Sequence, residues 1–378
     1  MNKEKEYMAV NNSTVDWKTI TDFAIDAFKG YGVPEADAKI VVDILLESDK
    51  RGIESHGVNR FKPIYLDRIK AGIQKPTTDL EIVKETKTTA VVDGHDGMGQ
   101  VVGHTCMSMA IKKAKEYGMG MVVARGSTHY GIAGYYVTMA TKQNMLGISG
   151  TNARPSIAPT FGVQNMLGTN PLTFGFPTDE DFPFVLDCAT SITQRGKTEY
   201  YARIGKETPA GHIVTHDGGT MTDSAEILDA LTKGTAALNP LGGSGEEMGG
   251  YKGYGYSTVV EILSAALQQG NFLWALNGLD KDGNKIPFGL GHFFMAIDPD
   301  AFVGADSFKK TCGDILRDLR ASTKAPGCDR IYTAGEKEYL VWCERKDKGV
   351  PINDAVQKEI CTIRDELKLF QYKFPWEV

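Results

Sequence analysis

The fold class is decided by TAVVD at Thr89–Asp93, a helical stretch at Val101–Tyr117 and GMVVA at Gly120–Ala124. Both apolar runs have the length and β-branched content of buried strands. The stretch between them has helical spacing of its apolar residues, and Gly118 ends it as a left-handed C-cap would. A strand, a helix and a second strand in this order indicate an α/β layer with a buried sheet.

The same alternation continues outward from this unit. Further strands are predicted at Leu146–Thr151, Pro171–Phe176, Phe184–Asp187 and His292–Ile297. Helices are predicted at Ile132–Gln143 and Val259–Leu267, and the two ends of the chain are helical, including Val58–Ala71, Phe308–Leu319 and Asn353–Phe370. We therefore predict an α/β domain over residues 86–299, and a mainly helical domain for substrate binding and dimerisation built from residues 1–85 and 300–378.

Composition excludes several classes of protein. The 378 residues carry a formal net charge of −6, which is unlike a nucleic-acid binder, so an anionic ligand requires a local cationic site. The N-terminal residues lack a signal-peptide pattern, and no apolar run reaches the ~18 residues of a membrane span. The six cysteines are scattered without a C-x-x-C pair. We predict a cytoplasmic protein with reduced thiols that binds neither nucleic acid nor membrane.

Nucleotide-binding fingerprints are absent from the sequence. No G-x-G-x-x-G follows a strand, and no G-x-x-x-x-G-K-[ST] occurs. The run GGSGEEMGGYKGYG at Gly242–Gly255 is dense in glycine but fits neither template. Two interpretations stay open: a flexible loop, or a backbone approach to phosphates with Lys252 supplying charge at a helix start.

His56 is the first candidate for chemistry. It lies beside Gly57 in a loop between two helices, and Arg60 follows about one helical turn later. An imidazole next to a guanidinium suits an acid/base group beside a carboxylate clamp, because Arg grips a carboxylate with two parallel hydrogen bonds. The alternative is a surface histidine beside a solvated arginine.

His129 and Asp187 follow strands, where ligands gather in α/β folds. His129 lies between the strand ending at Ala124 and the next helix, and a helix cap is the alternative role. Asp187 ends an apolar strand and is either a cap or a carboxylate that orients a histidine. The other five histidines lie in no comparable context.

The sequence also allows two other kinds of site to be considered, a hydrolase site and a metal site. A hydrolase could use Ser55, His56 and Asp187, but the G-x-S-x-G register is missed by one residue and Ser55 directly precedes His56. A metal could use His212 and His216, which are four apart, but their neighbours are poor helix formers and the H-E-x-x-H glutamate is missing. We predict no metal. A catalytically silent acid-binding protein is a further alternative.

Several motifs occur in a single order along the chain: Glu54–Phe61 (ESHGVNRF), Ser127–Gly131 (STHYG), Gly168–Pro171 (GTNP), Leu186–Ser191 (LDCATS) and Lys252–Gly255 (KGYG). Together they resemble the type-2 malate/L-lactate dehydrogenase family of NAD(P)-dependent oxidoreductases, which includes sulfolactate and ureidoglycolate dehydrogenases, diketogulonate reductases and cyclic imino-acid reductases. The resemblance extends from about residue 16 to 336. Gly150–Ser156 and Gly335–Glu336 also agree, although Ala334 replaces the usual proline.

The resemblance implies a non-Rossmann fold, in which a central mixed sheet binds NAD or NADP. The sequence leaves the choice between the two cofactors open, with NAD slightly favoured. It also implies a homodimer with active sites near the subunit interface. The roles it implies are catalysis by His56 with Ser55 and Asp187 in its relay, His129 beside nicotinamide and substrate, and Arg60 on the substrate carboxylate. The cofactor pocket would be lined by His129, Asp187, Ala189, Thr190, Ser191, Lys252, Gly335 and Glu336.

These roles imply hydride transfer between nicotinamide and C2 of a 2-hydroxy acid, with malate and oxaloacetate as the expected pair. Lactate, another 2-hydroxy acid, or a 2-oxo or imino acid is the alternative substrate. A dicarboxylate needs a second cationic group, for which Arg154 is the candidate, with a surface salt bridge as its alternative role. The sequence leaves open whether His56 or His129 is the principal acid/base group.

Overall fold

The computed structural model describes residues 13–377. Its α-helices are α1 (Trp17–Gly30), α2 (Glu35–Lys50), α3 (Asp67–Lys70), α4 (Gly99–Tyr117), α5 (Ala133–Thr141), α6 (Arg195–Arg203), α7 (Ser224–Lys233), α8 (Gly250–Ala265), α9 (Ala305–Ala321), α10 (Glu336–Arg345) and α11 (Asp354–Leu367). Its strands are β1 (Ser13–Val15), β2 (Glu81–Glu85), β3 (Thr89–Asp93), β4 (Met119–Ser127), β5 (Leu146–Thr151), β6 (Leu172–Phe176), β7 (Phe184–Cys188), β8 (Ile213–Thr215), β9 (Ala236–Leu238), β10 (Leu290–Ile297) and β11 (Val350–Ile352).

Within the described residues, seven strands form one mixed sheet in the order β2-β3-β4-β10-β5-β6-β7. The pair β3–β4 is parallel, and α4 makes the crossover between its strands. Every other neighbouring pair is antiparallel. A Rossmann sheet is mostly parallel, so this order confirms the predicted non-Rossmann α/β fold.

Helices cover both faces of the sheet. On one face α4 and α5 pack with alternate strand residues such as Val122 and Phe294 in a continuous apolar core. On the other face α8 packs through Val260 on Val123 and Phe293. Successive strand residues point to opposite faces, so a strand covered on both sides is apolar throughout. This explains the unbroken run GMVVA.

The two ends of the chain share a second core, as the sequence predicts. Apolar side chains of α1 and α2 pack with those of α11, and Phe374 inserts its ring between them. Strands β1 and β11 pair antiparallel, with Val15 opposite Val350. The N- and C-terminal segments therefore form one helical unit.

The domain limits need two corrections where strands and helices lie elsewhere than expected. Strand β2 pairs with β3, so the sheet already includes Glu81–Glu85, which we had assigned to the helical domain. Helix α9 binds the edge of the sheet next to β7, because its Arg317 donates to Asp179 and its Phe308 ring packs on Phe176. The division into two domains itself stays a prediction, and its residues 1–12 and 378 lie outside the described residues.

The predicted helix Val58–Ala71 is wrong as one continuous helix. The segment winds instead as two 3₁₀ turns, a π-helical turn over Phe61–Leu66 and the short α3. Pro63 has no N–H to donate, which removes one bond of a regular ladder and favours the irregular winding. In this irregular segment Tyr65 contacts His129, with its hydroxyl 2.8 Å from Nδ1 of the histidine.

Two further expectations concern histidines and membranes. His212 and His216 flank β8 on either side, so they do not form the helical i,i+4 pair that a metal site would use. In residues 13–377, no helix combines the length and apolarity needed to cross a bilayer.

Candidate active site

The loop that carries His56 is held in place by the buried carboxyl group of Asp49. Asp49, at the end of α2, accepts a hydrogen bond of 2.8 Å from the backbone N–H of Val58. A Cβ on Gly57 would lie 2.1 Å from Asp49 Oδ1, so only glycine allows this approach. Burial raises the pKa of Asp49 to about 8, with the charge of Glu54 adding to the effect.

The loop is also hydrogen-bonded to helix α10 near the C-terminal end of the chain. Arg345, on α10, donates from Nη1 to the carbonyl of Asp49 at 2.7 Å and from Nη2 to Glu54 at 2.6 Å. Trp17 in α1 donates its indole N–H to the carbonyl of Arg345 at 2.8 Å. The position of His56 therefore depends on segments from both ends of the chain.

His56 itself is oriented by the preceding residue. Ser55 Oγ lies 2.9 Å from His56 Nδ1. The other ring nitrogen, Nε2, has no hydrogen-bond partner among the described residues. Burial lowers the pKa of His56 to about 4, and the nearby positive charge of Arg60 contributes. At neutral pH the ring is therefore uncharged and able to accept a proton.

His129 is the second imidazole of the site. It follows the carboxyl end of β4, and Tyr65 OH lies 2.8 Å from its Nδ1. The rings of His56 and His129 stack with centroids 5.6 Å apart. Burial, followed by electrostatic repulsion from protonated His56 and from Arg68 and Arg60, holds the pKa of His129 well below its usual value.

The segment around His129 rests on a third, buried histidine. His292 in β10 contacts Thr151 Oγ1 through Nδ1 and Ser127 Oγ through Nε2, each at 2.7 Å. Its ring stacks on Tyr130 with centroids 4.5 Å apart. Burial lowers the pKa of His292 to about 3. His292 is thus a neutral brace that joins three strands beneath the site.

Arginine side chains give the site a local positive charge in an acidic protein. Arg60 donates from Nε to the carbonyl of Ser55 at 2.5 Å, which leaves its Nη groups without a partner among the described residues. Arg68 and Arg154 lie close enough to influence each other electrostatically. Within residues 13–377, neither forms an ion pair with a carboxylate, and the electrostatic neighbours of Arg68 are Tyr65, Arg60 and Arg154. The predicted salt-bridge role for Arg154 is therefore not observed.

Asp187 is not in direct contact with His56, contrary to the expected relay. Its carboxylate accepts from the N–H of Gly134 at 2.7 Å and from Thr173 Oγ1 at 3.2 Å, and these are its hydrogen bonds within residues 13–377. Gly134 stands at the start of α5, whose unpaired N–H groups attract a carboxylate. Asp187 remains accessible at a cavity mouth, but the protein around it reduces its solvation and raises its pKa.

A cavity of about 310 Å³ is lined by two of the predicted site residues, Asp187 and Gly335. Its wall includes Asp187, Gly134 and Gly335, and also Ile53 from the loop that precedes His56. Gly335 has φ +88°, and a Cβ there would lie 2.9 Å from Val185 N. Glu336 is fully buried and its carboxylate binds Arg330, Arg320 and the Thr333 N–H. Gly335 therefore lines the cavity while Glu336 fixes its edge.

Ala189, Thr190 and Ser191 follow β7 and lie beside the glycine-rich loop. Leu241 donates its N–H to the carbonyl of Thr190 at 2.8 Å, and Ser191 bridges to Pro240. The hydroxyl of Ser191 is buried and has no hydrogen-bond partner among the described residues. The structure thus brings the segment 189–191 next to the loop that leads into Lys252.

The glycine-rich loop turns tightly before α8. Gly242, Gly243, Gly245 and Gly249 all have positive φ. A Cβ on Gly250 would lie 1.9 Å from the carbonyl oxygen of Gly243, so the loop folds closely back on itself. Lys252 stands in the first turn of α8, with its ammonium over the Tyr251 ring at 5.7 Å. This is the ordered glycine turn at a helix start that the phosphate interpretation requires.

Sequence reasoning missed Tyr65, Arg68 and His292. Arg68 follows Arg60 by eight residues, about two helical turns, and that repeat of cations on one segment was an available signal. Tyr65 meets His129 across 64 residues, and His292 meets Ser127 across 165. No local pattern encodes such contacts.

The geometry argues against the alternative chemistries. Ser55 contacts His56, but Asp187 is hydrogen-bonded elsewhere, so the three do not form the chain of contacts that a hydrolase triad needs. Among the residues described, no group of three His, Cys, Asp or Glu side chains could hold a metal ion.

Comparison with known proteins identifies relatives along nearly the whole chain. The family model of malate/L-lactate dehydrogenase matches residues 15–361. A malate dehydrogenase of Pyrococcus horikoshii is 42% identical over 357 residues, which are 94% of this chain and 96% of that protein. An L-sulfolactate dehydrogenase of Methanocaldococcus jannaschii is 38% identical, covering 91% of this chain and 94% of the relative.

Solved structures agree with this comparison. The crystal structure of malate dehydrogenase from Entamoeba histolytica superimposes with a TM-score of 0.91 at 45% identity, covering 95% of this chain and 99% of that one. The sulfolactate dehydrogenase from Methanocaldococcus jannaschii gives 0.83 at 36% identity, with coverages of 94% and 98%. The fold is therefore shared over about 95% of the chain, and the described site lies within residues 15–361, which the family model matches.

Proposed function

Because the chain belongs to the malate/L-lactate dehydrogenase family, we propose that it is a nicotinamide-dependent dehydrogenase that interconverts malate and oxaloacetate. One observation supports this most. The neutral imidazole of His56 is oriented through Nδ1 by Ser55, and it lies beside the guanidinium of Arg60, whose Nη groups have no partner among the described residues. Such a pair can hold a carboxylate and remove the proton from the hydroxyl next to it. Malate is the substrate named for relatives 41–42% identical to this chain.

The carboxylate at C1 of the substrate binds Arg60 in this proposal. The Nη groups of Arg60 have no acidic partner among the described residues, and their fork geometry matches a carboxylate. His56 Nε2 then receives the hydroxyl proton when malate is oxidised and returns it when oxaloacetate is reduced. Ser55 holds the ring and its tautomer through Nδ1.

His129 positions the substrate on the other side of the ring stack. Tyr65 holds its Nδ1, so the opposite nitrogen is available to the substrate or the nicotinamide amide. We assign the principal acid/base role to His56, because Arg60 follows it in the same loop and brings the carboxylate and the proton acceptor together. Asp187 acts indirectly, by holding the start of α5 close to the segment that carries His129.

The residues present fit a dinucleotide. The buried hydroxyl of Ser191 lacks a partner among the described residues, and Gly245, in the turn before α8, has open space where a side chain would be, so a phosphate could approach the backbone there. When bound, the nicotinamide accepts or donates the hydride at C2 of the substrate. In our proposal Lys252 binds the pyrophosphate, Asp187, Ala189, Thr190, Ser191 and Gly335 line the pocket, and Glu336 fixes its edge.

NAD is the cofactor we propose. NADP would require an Arg or Lys at the 2′-phosphate. Three cations lie near the proposed pocket: we assign Lys252 to the pyrophosphate, and we assign no phosphate contact to Arg51 and Lys337, which line the cavity beside Gly335. The ratio of kcat/KM with NAD to that with NADP tests this choice.

We also propose a homodimer that buries the outer face of α8. Tyr256, Val259 and Ile262 lie on that face and are about half exposed, and Phe272 and Trp274 extend the apolar surface. A continuous exposed apolar patch is typical of an interface. Light scattering should give a dimer for the wild type and a monomer for Ile262→Glu. Ile315→Glu on α9, equally exposed, is the control that should stay dimeric.

The experiment that tests the proposed function measures nicotinamide absorbance with malate and each cofactor. His56→Ala should lower kcat by about 10²- to 10⁴-fold, the usual contribution of general acid/base catalysis. His216→Ala, which removes an exposed imidazole, is the matched control and should leave kcat unchanged. Absence of malate-dependent absorbance change in the wild type, or normal turnover in His56→Ala, would refute the proposal.

A further inference from the structure

Arg68 is a partly buried cation beside the site, and its guanidinium is stacked on an aromatic ring. Its guanidinium lies over the ring of Phe288, with Cζ 4.6 Å from the centroid. It shares a segment with Arg60 and with Tyr65, whose hydroxyl contacts His129. A guanidinium stacked on an aromatic ring is fixed in orientation while its N–H groups stay free to bind.

Arg68 has positively charged neighbours and no carboxylate among the described residues that could form an ion pair with it. Its electrostatic neighbours among the described residues are Tyr65, Arg60 and Arg154, and none of them is a carboxylate. Burial and the two arginines lower the pKa of Arg68. Bringing like charges together away from water costs free energy, and a bound anion would offset that cost.

We infer that Arg68 binds a second anionic group of the substrate, a carboxylate or sulfonate attached to C3 of the 2-hydroxy acid. The inference rests on the proposed function and names the substrate class of the same site. Arg60 is next to His56 and binds the C1 carboxylate, so the cation further along the segment is left for the distal anion.

Arg154 is the weaker candidate for this task. It is exposed on the loop after β5, whereas Arg68 is partly buried and braced by Phe288. A preorganised cation loses less freedom on binding and therefore contributes more to affinity. Arg154 adds to the positive field that attracts the dianion.

The test compares substrates that differ only in the distal group. Malate and 3-sulfolactate carry an anion on C3, whereas lactate and 2-hydroxybutyrate do not. Arg68→Leu should lower kcat/KM for malate and sulfolactate by about 10- to 100-fold, as expected for losing a charge-assisted bond. The value for lactate and 2-hydroxybutyrate should change by less than about twofold, because these acids lack the group that Arg68 binds.

Two other variants guard against a general loss of structure. Arg317→Leu removes an exposed arginine paired with Asp179 and Asp314, and it should leave every ratio unchanged. Phe288→Leu keeps the cation but removes its platform, so it should lower the malate-to-lactate ratio by a smaller factor. If Arg68→Leu fails to fold, Phe288→Leu decides the matter in the same way.

The outcomes separate the two ideas. An equal loss for malate and lactate, or an unchanged ratio in both Arg68→Leu and Phe288→Leu, would overturn the role of Arg68 while the dehydrogenase activity stands. A wild-type protein that oxidises no 2-hydroxy acid with either cofactor would overturn the proposed function, and the inference with it. Loss with sulfolactate but not malate would also contradict the inference, which assigns both anions to one arginine.

Discussion

The rings of His56 and His129 stack with centroids 5.6 Å apart and planes inclined by 21°, and a different hydroxyl holds Nδ1 of each. Ser55 serves His56 from the adjacent residue, while Tyr65 serves His129 from another segment. Two imidazoles this close repel if both are charged, so the pair binds at most one proton readily. That arrangement suits a site that takes one proton from its substrate.

The pH dependence of catalysis should reflect this crowding. Because burial lowers the pKa of His56 to about 4, the base remains neutral well below the ordinary histidine value of 6.5. We expect kcat/KM for hydroxy-acid oxidation to show no titration near pH 6.5 and to fall only as the pH approaches 4, since kcat/KM reports the free enzyme. A profile from pH 4.5 to 8 with lactate or malate checks this. An inflection near 6.5 would mean that His56 is more solvated than the structure shows.

Tyr65→Phe should weaken catalysis with little change elsewhere. It removes the hydroxyl 2.8 Å from His129 Nδ1 and leaves the packing of the ring in place. Losing one partner of a buried hydrogen bond costs about 1–3 kcal/mol, and we expect kcat to fall about 10-fold as His129 reorients. Tyr372→Phe, which removes a hydroxyl bonded to Asp26, is the matched control. Equal kcat in both variants would exclude a positioning role for Tyr65.

Gly57→Ala should displace the catalytic loop. The added Cβ would approach Asp49 Oδ1 to 2.1 Å, and Asp49 is fully buried, so the loop must shift away. Overpacking of this kind costs about 1–3 kcal/mol of unfolding free energy. We expect a lower melting temperature and a loss of kcat larger than the loss of stability explains. Gly196→Ala, where no atom lies within 4 Å of the new Cβ, should be silent.

The brace at His292 should make stability depend on pH. Its native pKa of about 3 lies below the unfolded value of 6.5, so between these the unfolded chain binds a proton that the native one does not. The contribution of His292 to the free energy of unfolding therefore decreases as the pH falls below 6.5, and by pH 5 it has decreased by about 2 kcal/mol. The stability difference between wild type and His292→Gln, measured in urea, should shrink by that amount from pH 7 to pH 5. Asp49, whose pKa is raised to about 8, makes both proteins more stable as the pH falls. Because this effect is the same in wild type and His292→Gln, it cancels in the stability difference.

Sequence reasoning found what local patterns encode. The strands β3 and β5 were both predicted with their observed limits, and in β3 the apolar run AVV is the signal, because a strand covered on both faces is apolar along its length. The motif around His56 brought Ser55 and Arg60 together correctly, since all three lie within six residues of one loop. The end of the strand at Ala124 likewise indicated the position of His129, and the glycine-rich run 242–255 indicated that of Lys252.

What it could not find depends on contacts distant in sequence. The winding of Phe61–Leu66 follows from packing around Pro63, and it sets where Tyr65 and Arg68 lie. The partners of Asp187 come from α5 and β6, so its bonds to Gly134 and Thr173 are fixed by sheet order rather than by its own motif. Tertiary geometry decides such cases, and a single sequence does not contain it in readable form.

The central claim is that this site moves a hydride from C2 of malate to nicotinamide while His56 takes the hydroxyl proton. The most direct measurement uses malate deuterated at C2 with NAD, followed by mass spectrometry of the reduced cofactor. Each reduced cofactor should carry one deuterium, and His56→Ala should lose this transfer. Reduced cofactor without deuterium, or undiminished transfer in that variant, would contradict it.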